Sequence, residues 1–154
     1  MTTFDLLRNL LIGTSLTLVN LIILLRATKP TIPYLQKKVT EYNRESGTYS
    51  FVTPLTIVVG FLFFGHLLQF ATWAAVFVAI GQFDNYTEAF YFSAVNFTSL
   101  GYGDIVMDPE WRLLGPLEAA NGVLMFGLSA GLLVSLMSVF FRAVTNAQHT
   151  KPVD

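Results

Sequence analysis

The sequence predicts an all-α membrane protein, and three observations predict it. Of the 154 residues 53% are hydrophobic and 12% charged, a balance found in chains solvated by lipid rather than water. Three apolar stretches are long enough to cross a hydrocarbon core of about 30 Å. Between the last two, a short segment with helix-start signals runs into Thr98-Ser99-Leu100-Gly101-Tyr102-Gly103-Asp104. Irregular backbone at membrane depth is tolerated only where protein buries it or where it lines a watery path. The expected architecture is therefore an N-terminal transmembrane helix, an outer helix, a re-entrant helix with a glycine loop, and an inner helix.

The first element, residues 1–25, is apolar from Leu6 to Leu25 with Arg8 and Asn20 as interruptions. Its uncharged part, Asn9 to Leu25, is near the lower limit for a span. Arg26-Ala27-Thr28-Lys29-Pro30 offers no small-x-small cleavage site, and the positive charges lie mainly beyond the apolar run. A retained helix is expected rather than a signal peptide. Residues 26–50 form a basic connector in which Ile32, Leu35, Val39 and Tyr42 recur at helical spacing, with Lys37, Lys38, Glu41, Arg44 and Glu45 on other faces. That pattern predicts an amphipathic helix on the inner membrane surface, ending near Ser46-Gly47. A polar linker with a chance apolar stripe is the competing reading.

Residues 51–142 hold the remaining helices. An outer helix over 53–80 opens with Pro54 in its first turn, a position where the missing N–H costs nothing. A short helix over 86–97 follows, with Asn85 as cap and Glu88 three residues on as its capping-box partner;. At about 18 Å it cannot span, so it must enter the membrane and return. Its carboxyl end, with unpaired carbonyls, then favours a cation in the membrane interior. The loop over 99–103 leads outward to an inner helix over 116–141, opened by Pro116 and followed by Arg142, and 143–154 form a short tail.

Orientation follows from the distribution of charge. Arg26, Lys29, Lys37, Lys38 and Arg44 lie between the first two spans, whereas Asp84, Glu88, Asp104, Asp108 and Glu110 face only Arg112 between the second and third. Basic residues concentrate in short cytoplasmic loops, so the amino terminus and the glycine loop are expected outside and the carboxyl terminus inside. The net charge of −1 argues against nucleic acid as a partner, and the absence of cysteine excludes thiolate chemistry;. No carboxylate pair, nucleophile with a base, or metal-ligand spacing emerges, so an enzyme is not expected. No span carries arginines at intervals of three, so neither is a voltage sensor.

Pointing successive carbonyls at one axis requires a backbone that alternates between right- and left-handed conformations. Gly101 and Gly103 supply left-handed positions without strain. Leu100 and Tyr102 then project away from that axis. On these residues the chain resembles the pore-loop potassium channels, whose filter reads Thr-Val-Gly-Tyr-Gly, often followed by Asp. The similarity runs from about His66 to Val139, and the chain looks like the small bacterial channels with two pore-flanking helices, here with an extra N-terminal span.

The resemblance implies that the carbonyls of Ser99, Leu100, Gly101 and Tyr102, with the Ser99 hydroxyl, replace the hydration shell of K+, Gly103 completing the filter. One chain supplies a quarter of each cage, so a homotetramer is implied. The expected function is a potassium-selective channel conducting passively across a bacterial plasma membrane, with the lipid bilayer and K+ as partners and no cofactor beyond the permeant ion. A weakly selective monovalent cation channel and a non-conducting, pore-like scaffold or regulatory subunit are the alternatives.

Filter support falls to Thr98, Asp104, Tyr91 and Phe92. The last two stand where the family often has tryptophans, Tyr91 keeping a polar tip and Phe92 offering packing alone. Ser99 replaces the usual threonine and Leu100 the usual valine. For gating, Gly127 is the preferred hinge of the inner helix and Gly122 the alternate, although the small residues around them equally suit close helix packing. Phe140 or Phe141 either narrows the pore at its inner end as a hydrophobic gate or faces lipid. His66, three residues before Gln69, is either a titrating switch or a partner in interhelical hydrogen bonding. Glu118 either draws cations or caps its own helix.

Overall fold

In the computed structural model, residues 2–31, 33–34, 37–38 and 52–149 are described. Among the described residues four helices have defined bounds: α1 (Thr3–Thr28), α2 (Val52–Ala79), α3 (Tyr86–Phe97) and α4 (Leu114–His149). No strand occurs among the described residues. Three of the four helices are long and apolar enough to cross a membrane, and α3 is not. The chain is thus an all-α, multi-pass membrane protein. The stripe formed by Ile32, Leu35, Val39 and Tyr42 lies outside the described residues.

The ends of each helix follow from local chemistry. Thr2 and Asp5 form a reciprocal capping box, the Asp5 N–H donating to Thr2 Oγ1 at 3.2 Å and the Thr2 N–H donating to Asp5 Oδ2 at 2.7 Å. Two first-turn donors are satisfied there without a partner element. α2 stops at Gly81, whose φ of 75° places it in the left-handed region. The Gly81 N–H reaches the Val78 carbonyl and the Gln82 N–H the Phe77 carbonyl, each at 3.0 Å, the bond pair of a Schellman motif. α3 begins at Asn85, whose side chain accepts the Thr87 N–H at 2.9 Å.

α1 packs against α2 and α4, while α3 is held between α2 and α4. The buried face of α1 reads Asn9, Gly13, Leu16, Asn20, Leu24 and Thr28, a helical stripe in which small and polar residues alternate with two leucines. Gly13 lets Leu117 of α4 approach so closely that an added Cβ would sit 2.8 Å from Leu117 Cδ1. Asn20, an interruption in the apolar run, donates through Nδ2 to Asn121 Oδ1 at 2.6 Å, and Trp73 Nε1 of α2 donates to the same oxygen at 3.1 Å. Gln69 Nε2 closes the junction on the Asn20 carbonyl at 2.8 Å. In lipid, where apolar surface gives no net drive to helix association, such bonds and close backbone approach set which faces meet.

An aromatic core fixes α3 against α2. Phe70, Trp73, Phe77, Phe83, Phe92 and Phe97 are all buried. Phe97 meets Phe70 edge-on at 4.9 Å between centroids, and Phe92 meets Phe77 edge-on at 5.3 Å. Such geometry adds about 0.5–1.5 kcal/mol per pair beyond area burial. α4 continues to His149, past the inner-helix end expected at residue 141.

Candidate functional site

The loop after α3 starts from the way that helix ends. Thr98 is the C-cap, with its hydroxyl folded back on the Ala94 carbonyl at 2.7 Å. The Ser99 N–H bonds the Asn96 carbonyl at 2.8 Å and the Leu100 N–H the Val95 carbonyl at 3.0 Å. This is the same Schellman pair that ends α2, but with serine at the left-handed position, φ 59°. Glycine is usual there because a Cβ clashes with the following carbonyl at a cost of about 1–2 kcal/mol. The Gly101 N–H adds a second bond to the Val95 oxygen at 3.3 Å.

Left-handed φ values then recur at every second residue: Ser99 59°, Gly101 54° and Gly103 73°. The expected alternation therefore begins one step earlier than the glycines, at a residue whose type gave no signal for it. The structure brings Ser99, Leu100, Gly101, Tyr102 and Gly103 together as one exposed run at the carboxyl end of α3. Leu100 and Tyr102 are 59% and 67% exposed. Two open clefts flank the run, one of about 180 Å³ touching Gly101, Gly103 and Asp104, the other touching Ser99, Gly115 and Ala119.

The candidate supports divide by chemistry. Tyr91 donates its hydroxyl to Asp104 Oδ2 at 2.7 Å, tying α3 to the residue that follows the loop. That bond, more than any burial, raises the phenol above its ordinary range. Phe92 turns the other way, into the buried cluster with Phe77 and Phe83.

Several residues single themselves out in the structure that sequence reasoning assigned otherwise or passed over. Glu118 neither caps its helix nor faces solvent: it is fully buried, with Oε1 on the Ser93 hydroxyl of α3. Ser93 also reaches the Phe70 carbonyl of α2 at 3.0 Å. A hydroxyl carries one hydrogen, so it satisfies two acceptors only if the carboxyl brings a proton of its own. Gly122 lies directly under the end of α3, where an added Cβ would fall 1.8 Å from the Phe97 carbonyl oxygen, whereas a Cβ at Gly127 would meet nothing. Asn121, Trp73, Ser93 and Ser129 also join the polar contacts between helices. Their signal was available in kind, since polar groups within apolar spans must find partners.

His66 joins α2 to α4. Gln69 uses Nε2 on the Asn20 carbonyl, so its Oε1 faces His66 Nδ1 as an acceptor at 2.8 Å. Nδ1 therefore carries hydrogen, and Nε2 faces the Ser129 hydroxyl at 3.1 Å;. The ring lies 4.7 Å from that of Phe126. Phe140 is half-buried and Phe141 exposed near the carboxyl end of α4.

A short helix aimed at a loop of alternating handedness, between two spanning helices, defines the class as an ion-channel pore domain. Residues 65–139 match the family model described as "Ion channel". Two curated relatives are similar over 100 residues, 61% of this chain: "Potassium voltage-gated channel subfamily A member 2" of Oncorhynchus mykiss, 32% identical, and of Xenopus laevis, 33% identical. The chain spans about a fifth of the length of these relatives. No solved structure matches it. Over residues 65–139 the chain is thus similar to ion-channel pore domains, and over 100 residues to potassium channels.

Proposed function

We propose that this chain is one subunit of a homotetrameric, potassium-selective channel that conducts K+ passively and carries out no chemical turnover. The observation that supports this most directly is the left-handed backbone at Ser99, Gly101 and Gly103. In such a run the carbonyls of successive residues can face one axis, and four chains around it make stacked oxygen cages able to replace an ion's water. Ser99, Leu100, Gly101 and Tyr102 are the proposed K+ ligands. The exposure of Leu100 and Tyr102 suits a loop whose outer side is covered by a neighbouring copy.

The distribution of Lys and Arg supports an orientation with the amino terminus and filter outside and the carboxyl terminus in the cytoplasm, the membrane being a plasma membrane of bacterial type. Within α4, Gly127 is the proposed hinge, because nothing packs where its side chain would be. Phe140 is the proposed inner constriction. The relatives' printed names include potassium, which accords with the ion assigned.

The test is the reversal potential of purified protein in a planar bilayer with K+ on one side and Na+ on the other. A potential near the K+ equilibrium value, with currents abolished by Gly101→Ala, is expected. A potential near zero replaces the reading with a weakly selective cation channel, and no current at all replaces it with a pore-like scaffold.

A further inference from the structure

The filter run is continued by residues 104–113, which form neither helix nor strand. Such a segment keeps its place through side-chain ties rather than a backbone ladder. Two ties come from the pore domain itself. Tyr91 donates to Asp104 at 2.7 Å; Gln82 donates Nε2 to Asp108 Oδ2 at 3.1 Å and accepts the Asp108 N–H on Oε1 at 2.9 Å.

The third tie comes from α1, which lies outside the stretch matched by the ion-channel family. Asn9, fully buried, donates Nδ2 to the Glu110 carbonyl at 2.8 Å. Arg8 donates Nη2 to the same oxygen at 3.1 Å. Its guanidinium carbon sits 3.6 Å from the centroid of the Trp111 ring, and Asp5 holds the same nitrogen at 3.4 Å. One carbonyl thus takes two donors from a separate helix, while the cation covers the aromatic side chain of the next residue.

The geometry points to α1 as a brace for the outer mouth, with Arg8 and Asn9 as positioning residues that act on the filter through Glu110 and Trp111. This rests on the reading of the loop as a potassium filter. Releasing the brace frees the far end of the connector, so that the filter leaves its conducting arrangement more readily. Bound K+ opposes that loss, because a ligand stabilises the state that binds it.

The experiment compares wild type, Asn9→Leu and Arg8→Gln in planar bilayers, following the decay of K+ current at low and high external K+. Losing a buried bond between α1 and the connector should speed decay by a factor of about five, the reversal potential staying as in wild type. Raising external K+ should bring the decay back toward the wild-type rate. Should Asn9→Leu fail to assemble, Arg8→Gln, which keeps the buried amide in place, carries the same expectation with smaller amplitude. Decay at the wild-type rate, or accelerated decay insensitive to external K+, overturns the inference and leaves the channel reading intact. A wild type that passes no K+ removes that reading and the inference with it.

Discussion

Tyr91 and Ser99 show how single side chains set the loop. Tyr91 bridges α3 to Asp104 through its hydroxyl, and the bond holds the phenol in its protonated form, above the ordinary range. The raised value fixes the sign of the pH dependence. Below about pH 10, the ordinary phenol value, the donor is intact and the tie is fully present; it is lost as pH rises through the raised value, where phenolate would face carboxylate. Wild-type K+ current should therefore decay slowly at pH 8 and faster only at strongly alkaline pH. Tyr91→Phe should decay fast already at pH 8 and show no further alkaline step; an unchanged alkaline step in Tyr91→Phe would assign it to another group. The polar tip of Tyr91 was legible in the sequence, and in the structure it bonds Asp104, the residue that follows the loop. The left-handed φ of 59° at Ser99 was not. Side-chain type signals that conformation when it is glycine, whereas here it is imposed by the bonds that terminate α3 at Val95 and Asn96.

Gly122 and Gly127 sit on the same helix and do different things. An added methyl at Gly122 would fall 1.8 Å from the Phe97 carbonyl oxygen, a backbone atom at the end of α3 that cannot swing aside. Gly122→Ala should force α3 and α4 apart at a cost at or above the upper end of about 1–3 kcal/mol for overpacking, read as a lower melting temperature of the assembly. Gly127→Ala meets no neighbour and replaces a poor helix former, so it should hold or raise that temperature, by up to about 1 kcal/mol of helix propensity;. With Gly127 as the hinge, the same substitution should reduce channel opening; full opening in Gly127→Ala would move the bend elsewhere. The helices themselves were legible, because apolar length sets the spans and a capped segment of twelve residues cannot cross;. Their partners were not. Asn20 and Glu118 stand in apolar runs, and such a residue declares that it needs a partner without saying which: Asn121 for one, Ser93 for the other.

Among the described residues, exposed apolar surface lies where a ring of copies would meet. Leu100 and Tyr102 stand exposed beside open clefts, and Val123, Leu124 and Leu128 are exposed on α4 near the end of α3. Covering apolar side chains gains about 25 cal/mol per Å² only where water is removed, so inside the bilayer the gain must come from fit and from the ion itself. A cage of carbonyls without a cation concentrates partial negative charge on the axis, and K+ relieves it; separated chains offer no such cage. Potassium should therefore stabilise the assembly and not the monomer. The native mass in detergent should be four times the 17.1 kDa subunit, and its dissociation temperature should be higher in K+ than in Na+ at equal ionic strength. At a hundredfold excess over the dissociation constant the linkage amounts to about 2.7 kcal/mol per site, enough to shift the midpoint by several degrees. Gly101→Ala should keep the mass but lose the difference between the ions, since its strain falls on the cage and not on the packing around it. A tetramer equally stable in both ions would leave the pore in place and take away its preference for potassium.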